Sequence, residues 1–144
     1  MSITVRSGAE AMQLDVIHRF LCDEAPWSRG IPRETVARAV AHSLNFGVFD
    51  GEVQVAYARV VTDRATFAWL ADVFVLAPHR GRGHALRLMD AVVAHPALQG
   101  LRRFSLATST APGLYARYGF TAPVKPQILM ERYAPDLYLT QGPA

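Results

Sequence analysis

The part of the sequence that most constrains the fold is residues 72–85, where an apolar run, a glycine turn and the beginning of a helix follow one another. Residues 72–76 read as a strand, and residues 85–92 carry apolar side chains at the spacing of one helix face. Between these two segments, Gly81 and Gly83 predict a sharp turn. The sequence therefore predicts a strand–turn–helix unit, a unit of folds that combine a sheet with helices.

A strand–turn–helix unit of this kind is suited to binding an anion. The first N–H groups of a helix have no partner within the helix, and the helix dipole places positive potential behind them. Glycine at positions 81 and 83 removes the Cβ atoms that would keep an anion away from the backbone. The pattern indicates a site for a phosphate or pyrophosphate, although a turn that needs glycine only for its dihedral angles is the alternative.

Two segments carry a more specific pattern. Residues Arg80–Ala85 read Arg-Gly-Arg-Gly-His-Ala and follow Val75 and Pro78. Residues 113–120 read Gly-Leu-Tyr-Ala-Arg-Tyr-Gly-Phe. The first resembles the Arg/Gln-x-x-Gly-x-Gly/Ala cofactor motif of the GCN5-related N-acetyltransferase (GNAT) superfamily, and the second resembles its Leu-Tyr-x-x-x-Gly-Phe element. Both motifs occur in the family's order and spacing, so the chain resembles a small, single-domain GNAT protein over residues 1–144.

This resemblance implies a mixed α/β fold with a central, mostly antiparallel sheet flanked by helices. Hydrophobic periodicity predicts the element order β-α-α-β-β-β-α-β-α-β. The predicted strands are residues 3–6, 46–49, 53–61, 66–76, 103–107 and 128–133, and the predicted helices are residues 11–23, 32–44, 84–95 and 112–118. Asp50-Gly51 predicts a two-residue hairpin between the second and third strands.

Composition narrows the function classes. With 51% hydrophobic residues, the chain can bury a substantial core without disulfides or metals. Cys22 is the only cysteine, which excludes an intramolecular disulfide and a cysteine-based zinc cluster, and we expect no metal site. A net charge of +3 permits an acidic partner. The arginines are scattered from Arg6 to Arg132 rather than clustered, which argues against a nucleic-acid partner. No signal core or membrane-length apolar stretch is present, so we expect a cytoplasmic protein without a membrane partner.

The resemblance also implies a cosubstrate, acetyl-CoA, and a set of residues that bind it. In the family, the pyrophosphate lies on the backbone amides of the turn, and the pantetheine arm pairs with the exposed edge of the preceding strand. The implied cofactor-binding residues are Val73, Phe74, Val75, Arg80, Gly81, Arg82, Gly83, His84 and Ala85. An acceptor amine would then attack the acetyl thioester directly, in a ternary complex.

Tyr115 is the candidate proton donor to the departing thiolate, because it falls on the tyrosine of the family's second motif. A phenol titrates near pH 10, so it keeps its proton at neutral pH and can donate it. The alternative is that its ring only packs on the pantetheine arm or in the core.

The general base is less well indicated. Strict alternation places Trp69, Ala71 and Val73 on one face of the predicted strand and Asp72 on the other, so Asp72 is either the base or a structural carboxylate. Glu24 is a second candidate, as the base or as the group that meets the ammonium of the substrate. Water could also accept the proton. Where many family members carry Asn or Asp before the motif tyrosine, this chain has Ser109 and Thr110, whose hydroxyls can cap the short helix or contact the cofactor.

The acceptor pocket is the least transferable part of the family. Trp27, Arg29, Tyr57 and Trp69 are its candidate walls, and Arg29 would suit a carboxylate. Core packing is the alternative for Tyr57 and Trp69. A small amine, an amino acid, a protein N-terminus and an aminoacyl-tRNA all stay open as acceptors.

Two other function classes also stay open: a non-catalytic acyl-CoA-binding or regulatory module, and a tRNA-acetylating toxin. The apolar composition, an expected edge strand at residues 128–133 and the frequency of dimers among relatives predict a homodimer.

Overall fold

Five strands form one sheet in the order in which they occur along the chain. The computed structural model describes residues 2–140, apart from the side chain of Thr140. The strands are β1 (Ile3–Ser7), β2 (Leu44–Asp50), β3 (Val53–Thr62), β4 (Phe67–Val75) and β5 (Arg103–Ser105). The first three pairings are antiparallel, and β4 pairs with β5 in parallel. The sheet is therefore mostly antiparallel, as predicted.

Helices cover both faces of this sheet. They are α1 (Leu14–Arg19), α2 (Arg33–Ala41), α3 (His84–Ala94), α4 (Pro112–Ala116) and α5 (Leu137–Thr140). The predicted first helix is divided: a 3-10 turn (Ala9–Ala11) precedes α1, and a π-helical turn (Phe20–Glu24) follows it. The mixed α/β fold class is confirmed.

Each face of the sheet has its own core. On one face, Leu88, Met89 and Val92 of α3 are fully buried, which is the helix face that the apolar spacing predicted. On the other face, Ile17 from α1 and Val36 from α2 pack into a second cluster. The apolar area that α3 buries against the sheet fixes this helix in place. The glycine turn directly before α3 is positioned by the same packing.

The expected strand at residues 128–133 is wrong. The chain forms only a 3-10 turn there, Pro126–Ile128, and residues 121–137 are exposed. Pro123 and Pro126 lack the N–H groups that a ladder requires, and β5 is only 3 residues long. Apolar β-forming residues therefore lie in this segment without joining the sheet.

A β-bulge interrupts β4 and changes which side chains share a face. Tyr57 pairs with Phe74 but Arg59 pairs with Ala71, so Asp72 and Val73 together lie opposite a single residue of β3. Asp72 has a φ of +54°, in the left-handed region. The strict alternation predicted for the whole strand is therefore wrong beyond residue 72, because the extra residue reverses the faces.

The consequence appears in the packing. Leu70 contributes to the core under α3, and Val73 and Val75 pack against the same core after the bulge. Phe74 instead enters the core beneath α1 and α2.

Candidate active site

The parallel strands β4 and β5 separate at the centre of the molecule. Their last pair is Trp69–Ser105, after which β5 ends while β4 continues to Val75. The edge of β4 over residues 70–75 therefore has no neighbouring strand from β5. A cleft of about 1370 Å³ opens at this point. This volume exceeds the roughly 300–1,000 Å³ of an ordinary small-molecule pocket, so the cleft has room for a long ligand together with a second one.

Five parts of the chain line this cleft, and the sequence had indicated most of them. The lining side chains and backbone come from Phe20, Glu24, Pro26, Trp27, Trp69–Val75, His79–Gly81, Gly83–Leu86, Leu106–Ala111, Leu114, Tyr115 and Tyr133. Tyr115, Asp72 and Glu24 are thus brought to one cavity together with the glycine turn and the open edge of β4.

The glycine turn has the backbone geometry of an anion cradle. Gly81 and Gly83 have φ angles of +78° and +80°, and Gly83 directly precedes α3. A Cβ atom on Gly81 would meet nothing within 4 Å, so the space in front of that residue is open. Nε of Arg80 donates to the carbonyl of Val75 at 2.9 Å, which holds the Arg80 side chain at the cleft. The turn therefore fits a phosphate group.

Arg82, the other arginine of the turn, does not line the cleft. It is exposed, and its carbonyl accepts a hydrogen bond from Nη1 of Arg87 at 2.7 Å. Its contribution to the cleft is to fix the backbone of the turn through Arg87.

His84, the first residue of α3, is neutral in a defined tautomer. Nη1 of Arg87 lies 3.1 Å from Nδ1 of His84. Because a guanidinium can only donate, Nδ1 must accept and the ring proton sits on Nε2. Burial, and secondly the charge of Arg87, lower the pKa of His84. Neither this pairing nor the place of His79 in the cleft lining was predicted from the sequence.

Tyr115 lies on α4 with its ring packed edge-on against Phe120, at a centroid distance of 6.3 Å. Only 8% of the residue is exposed, and burial raises the pKa of its phenol, which keeps it protonated at neutral pH. Within residues 2–140 its hydroxyl has no hydrogen-bond partner, so its proton is available to a ligand in the cleft. Tyr118, in contrast, donates to Oδ1 of Asp90 at 2.7 Å, away from the cleft.

The segment before α4 is ordered by a hydroxyl, although not by one that we had expected. Oγ1 of Thr108 accepts a hydrogen bond from the backbone N–H of Ala111 at 3.0 Å. Ser109 and Thr110 make no such capping contact within residues 2–140, and they line the cleft together with Thr108. Contact with a ligand is thus the expectation that remains open for these two residues.

Asp72 is held by two donors. Its Oδ1 accepts from Nε1 of Trp27 at 3.0 Å, and its Oδ2 accepts from Nε of Arg59 at 2.9 Å. Arg59 also donates to Oγ of Ser43 at 3.1 Å. Both carboxylate oxygens are thus engaged in contacts that hold the side chains of Trp27 and Arg59. The geometry therefore favours the structural alternative for Asp72 over the role of base.

Two of the predicted acceptor walls lie elsewhere. Tyr57 is fully buried, its hydroxyl donates to Oδ1 of Asn45, and burial raises its pKa. It belongs to the core because the β3 face that carries it packs beneath α1 and α2. Arg29 is exposed and donates to the carbonyl of Asp23 at 3.2 Å, outside the cleft. Trp27 and Trp69 do line the cleft.

The π-helical turn places two side chains in the cleft. The N–H of Ala25 donates to the carbonyl of Phe20 at 2.9 Å, five residues back, which widens the turn. Phe20 and Glu24 consequently both line the cavity. The carboxylate of Glu24 makes no ion pair or hydrogen bond within residues 2–140. Sequence periodicity indicated Phe20 only as a core residue, because a π-helical turn leaves no mark in a 3.6-residue period.

Comparison with known proteins agrees with this architecture. A family model described as "Acetyltransferase (GNAT) domain" matches residues 41–122. A crystal structure of a GNAT-family protein from Xanthomonas campestris pv. campestris is 58% identical, with a TM-score of 0.93, and the alignment covers 96% of this chain and 97% of that one. These matches show that the chain belongs to the GNAT family of acetyltransferases.

More distant relatives extend the comparison. A curated protein of Gibberella zeae that is named as an acetyltransferase is 28% identical over 128 residues, covering 74% of this chain and 71% of that protein. An acetyltransferase from Clostridium acetobutylicum, whose structure was solved with acetyl-CoA, is 16% identical, with a TM-score of 0.65 and coverage of 92% and 96% of the two chains. The latter likeness shows a shared fold.

Two further features are absent from the described residues. In residues 2–140, no helix has the length and apolar character to cross a bilayer. The same residues contain no group of three or more His, Cys, Asp or Glu side chains that could hold a metal ion.

Proposed function

We propose that this protein transfers an acetyl group from acetyl-CoA to a primary amine by direct attack in a ternary complex. One observation supports this above the others: a single cleft brings together the glycine turn, the open edge of β4 and the hydroxyl of Tyr115. These are a phosphate cradle, a surface for a peptide-like arm and a proton donor. A module that only bound acyl-CoA would need the first two and not the third.

The turn and the strand edge would hold the cofactor. The backbone N–H groups of residues 81–85 and the guanidinium of Arg80 are the groups for the pyrophosphate. The backbone of residues 73–75 is the candidate partner of the pantetheine arm, which has amide groups of its own. Because the carbonyl of Val75 already accepts from Arg80, this pairing would use the other backbone groups of the edge.

Bound acetyl-CoA supplies a thioester, and the chain supplies the groups that handle charge. The bulge at Asp72 and Val73 takes one residue out of the β3–β4 ladder beside the cleft, and a backbone N–H of this bulge is the candidate donor for the developing oxyanion. Tyr115 would donate its proton to the departing thiolate. The amine would transfer its proton to Glu24 or to water.

The test is to mix the purified protein with acetyl-CoA and a panel of primary amines and to follow release of free thiol. Thiol should appear only when both acetyl-CoA and an amine are present, and mass spectrometry should show the amine heavier by one acetyl group. Tight binding of acetyl-CoA without thiol release for any amine would instead indicate a binding module. Growth arrest on induction, suppressed by Tyr115→Phe, would indicate a toxin that acetylates aminoacyl-tRNA.

A further inference from the structure

We propose that the acceptor is a primary amine on an apolar, aromatic-sized body without a carboxylate, with its ammonium on Glu24 and its body against Trp27. This proposal rests on the function proposed above. It assigns the substrate class from the distribution of charge and aromatic surface within the cleft.

Positive charge is confined to the cofactor end of the cleft. Arg80 is the single Arg or Lys among the described lining residues, and it is tied to the end of β4 beside the turn. Arg59 and Arg29 do not line the cleft, since Arg59 is engaged by Asp72 and Arg29 donates to the backbone of Asp23. With Arg80 beside the cofactor, a carboxylate on the acceptor would find no other Arg or Lys among the described lining residues and would lose its hydration without compensation.

Negative charge at the acceptor end is available from one residue. Both oxygens of Asp72 are already hydrogen-bonded, whereas Glu24 makes no ion pair or hydrogen bond within the described chain. An ammonium that entered this end would therefore be paired by Glu24. The same carboxylate would repel an acidic acceptor.

Aromatic surface lines the same cleft as this carboxylate. Trp27 is 49% exposed, Trp69 39% and Tyr133 69%, and all three line the cleft. Exposed aromatic faces of this kind take up apolar bodies, and they also attract an ammonium through their ring electrons. An acceptor with an aromatic or bulky alkyl body would bury surfaces that the free protein leaves in water.

Trp27 is held in place before a ligand arrives. Its Nε1 donates to Asp72, and its ring packs on Phe20 at a centroid distance of 6.3 Å. Phe20 in turn stacks on Phe74 at 4.0 Å. Since the ring is fixed by a polar contact and by packing, binding a body against it costs little further ordering. Asp72 is accordingly a positioning residue, which acts on the acceptor through Trp27.

The experiment compares four acceptors in the thiol-release assay: 2-phenylethylamine, phenylalanine, phenylalaninamide and ethylamine. The first should have the highest kcat/KM. Phenylalanine adds only a carboxylate and should be at least tenfold poorer, whereas phenylalaninamide, which removes that charge, should recover most of the loss. Ethylamine should also be at least tenfold poorer, because it has no body to place against Trp27.

Variants connect this selectivity to named residues. Glu24→Gln should raise KM for 2-phenylethylamine at least tenfold and leave the acetyl-CoA dissociation constant unchanged, while Glu34→Gln, at an exposed position on α2, serves as the matched control. Trp27→Ala should raise KM for 2-phenylethylamine and not for ethylamine. Asp72→Ala, which removes the acceptor for Nε1 of Trp27, should shift KM in the same acceptor-selective way as Trp27→Ala, which a purely structural role would not do.

The outcomes separate the two proposals. If phenylalanine equals or exceeds 2-phenylethylamine, or if phenylalaninamide is as poor as phenylalanine, the substrate class is wrong although acetyl transfer stands. If acetyl-CoA binds and no amine is acetylated, the function proposed above fails, and this inference fails with it.

Discussion

Replacing Gly83 with valine tests whether the turn cradles a phosphate. Gly83 has a φ of +80° and directly precedes α3, and a Cβ there would meet only Nη1 of Arg87, at 3.5 Å. The added carbon therefore clashes with no neighbouring atom, while a branched side chain at this position crowds the approach to the backbone N–H groups. Losing one hydrogen bond to a charged phosphate costs about 1.5–3 kcal/mol. The acetyl-CoA dissociation constant should therefore rise roughly 10- to 150-fold.

Backbone strain has to be separated from this effect. A side chain in the left-handed region costs about 1–2 kcal/mol of stability, and more for a β-branched residue. Gly51 offers a matched control, because its φ is +60°, a Cβ there would meet nothing within 4 Å, and it lies in the β2–β3 hairpin away from the cleft. Gly51→Val should lower the melting temperature comparably and leave the affinity for acetyl-CoA unchanged.

Calorimetric titration with acetyl-CoA and thermal melts of both variants provide the measurement. Wild-type affinity in Gly83→Val would refute the phosphate cradle. Equal loss of affinity in Gly83→Val and Gly51→Val would show that general destabilisation, rather than the site, is responsible.

Three further predictions follow from the core, from His84 and from the exposed C-terminal segment. Tyr57→Phe removes the buried hydroxyl that donates to Oδ1 of Asn45, so the melting temperature should fall by about 2–10 °C. We expect kcat and KM to stay unchanged, because Tyr57 is not an acceptor wall. Because the pKa of His84 is lowered from 6.5, the unfolded chain binds more protons below that pH, and stability should fall as pH drops below 6.5. His84→Asn should lose this component in melts across pH 5–8. Val124 and Met130 are 95% and 96% exposed, so we expect a homodimer that covers them, and a monomeric mass by light scattering at micromolar concentration would contradict this.

The backbone geometry of the glycine turn and of the helix after it could be predicted from the sequence, because local patterns encode both. Positive φ at Gly81 and Gly83, the helix face of α3 and the hairpin between β2 and β3 are each determined by neighbours in the chain. The loop of that hairpin lies one residue later than predicted, at Gly51 and Glu52, because Asp50 still pairs with Val53. The separation of β4 from β5 was implied by the family resemblance rather than by composition. Its geometry agrees with that expectation.

The acceptor half was predicted less well because it depends on contacts distant in sequence. The bulge at Asp72 reverses the faces of β4, and no alternation pattern reveals an extra residue. The hydrogen bond from Trp27 to Asp72 spans 45 positions, and the burial of Tyr57 depends on which face α1 and α2 cover. The expected strand at 128–133 failed for the same reason, since β propensity does not say whether a partner strand exists.

The most direct test of the account is to measure turnover and acetyl-CoA binding together in Tyr115→Phe. This change keeps the ring that packs on Phe120 and removes only the hydroxyl, and Tyr118→Phe is a control whose hydroxyl bonds to Asp90 outside the cleft. With an acceptor that supports measurable wild-type turnover, kcat of Tyr115→Phe should fall by roughly 10²–10⁴, the usual contribution of a general acid, and the acetyl-CoA dissociation constant should barely change. Near-normal turnover, or loss of binding in step with turnover, would contradict the role of Tyr115 as proton donor.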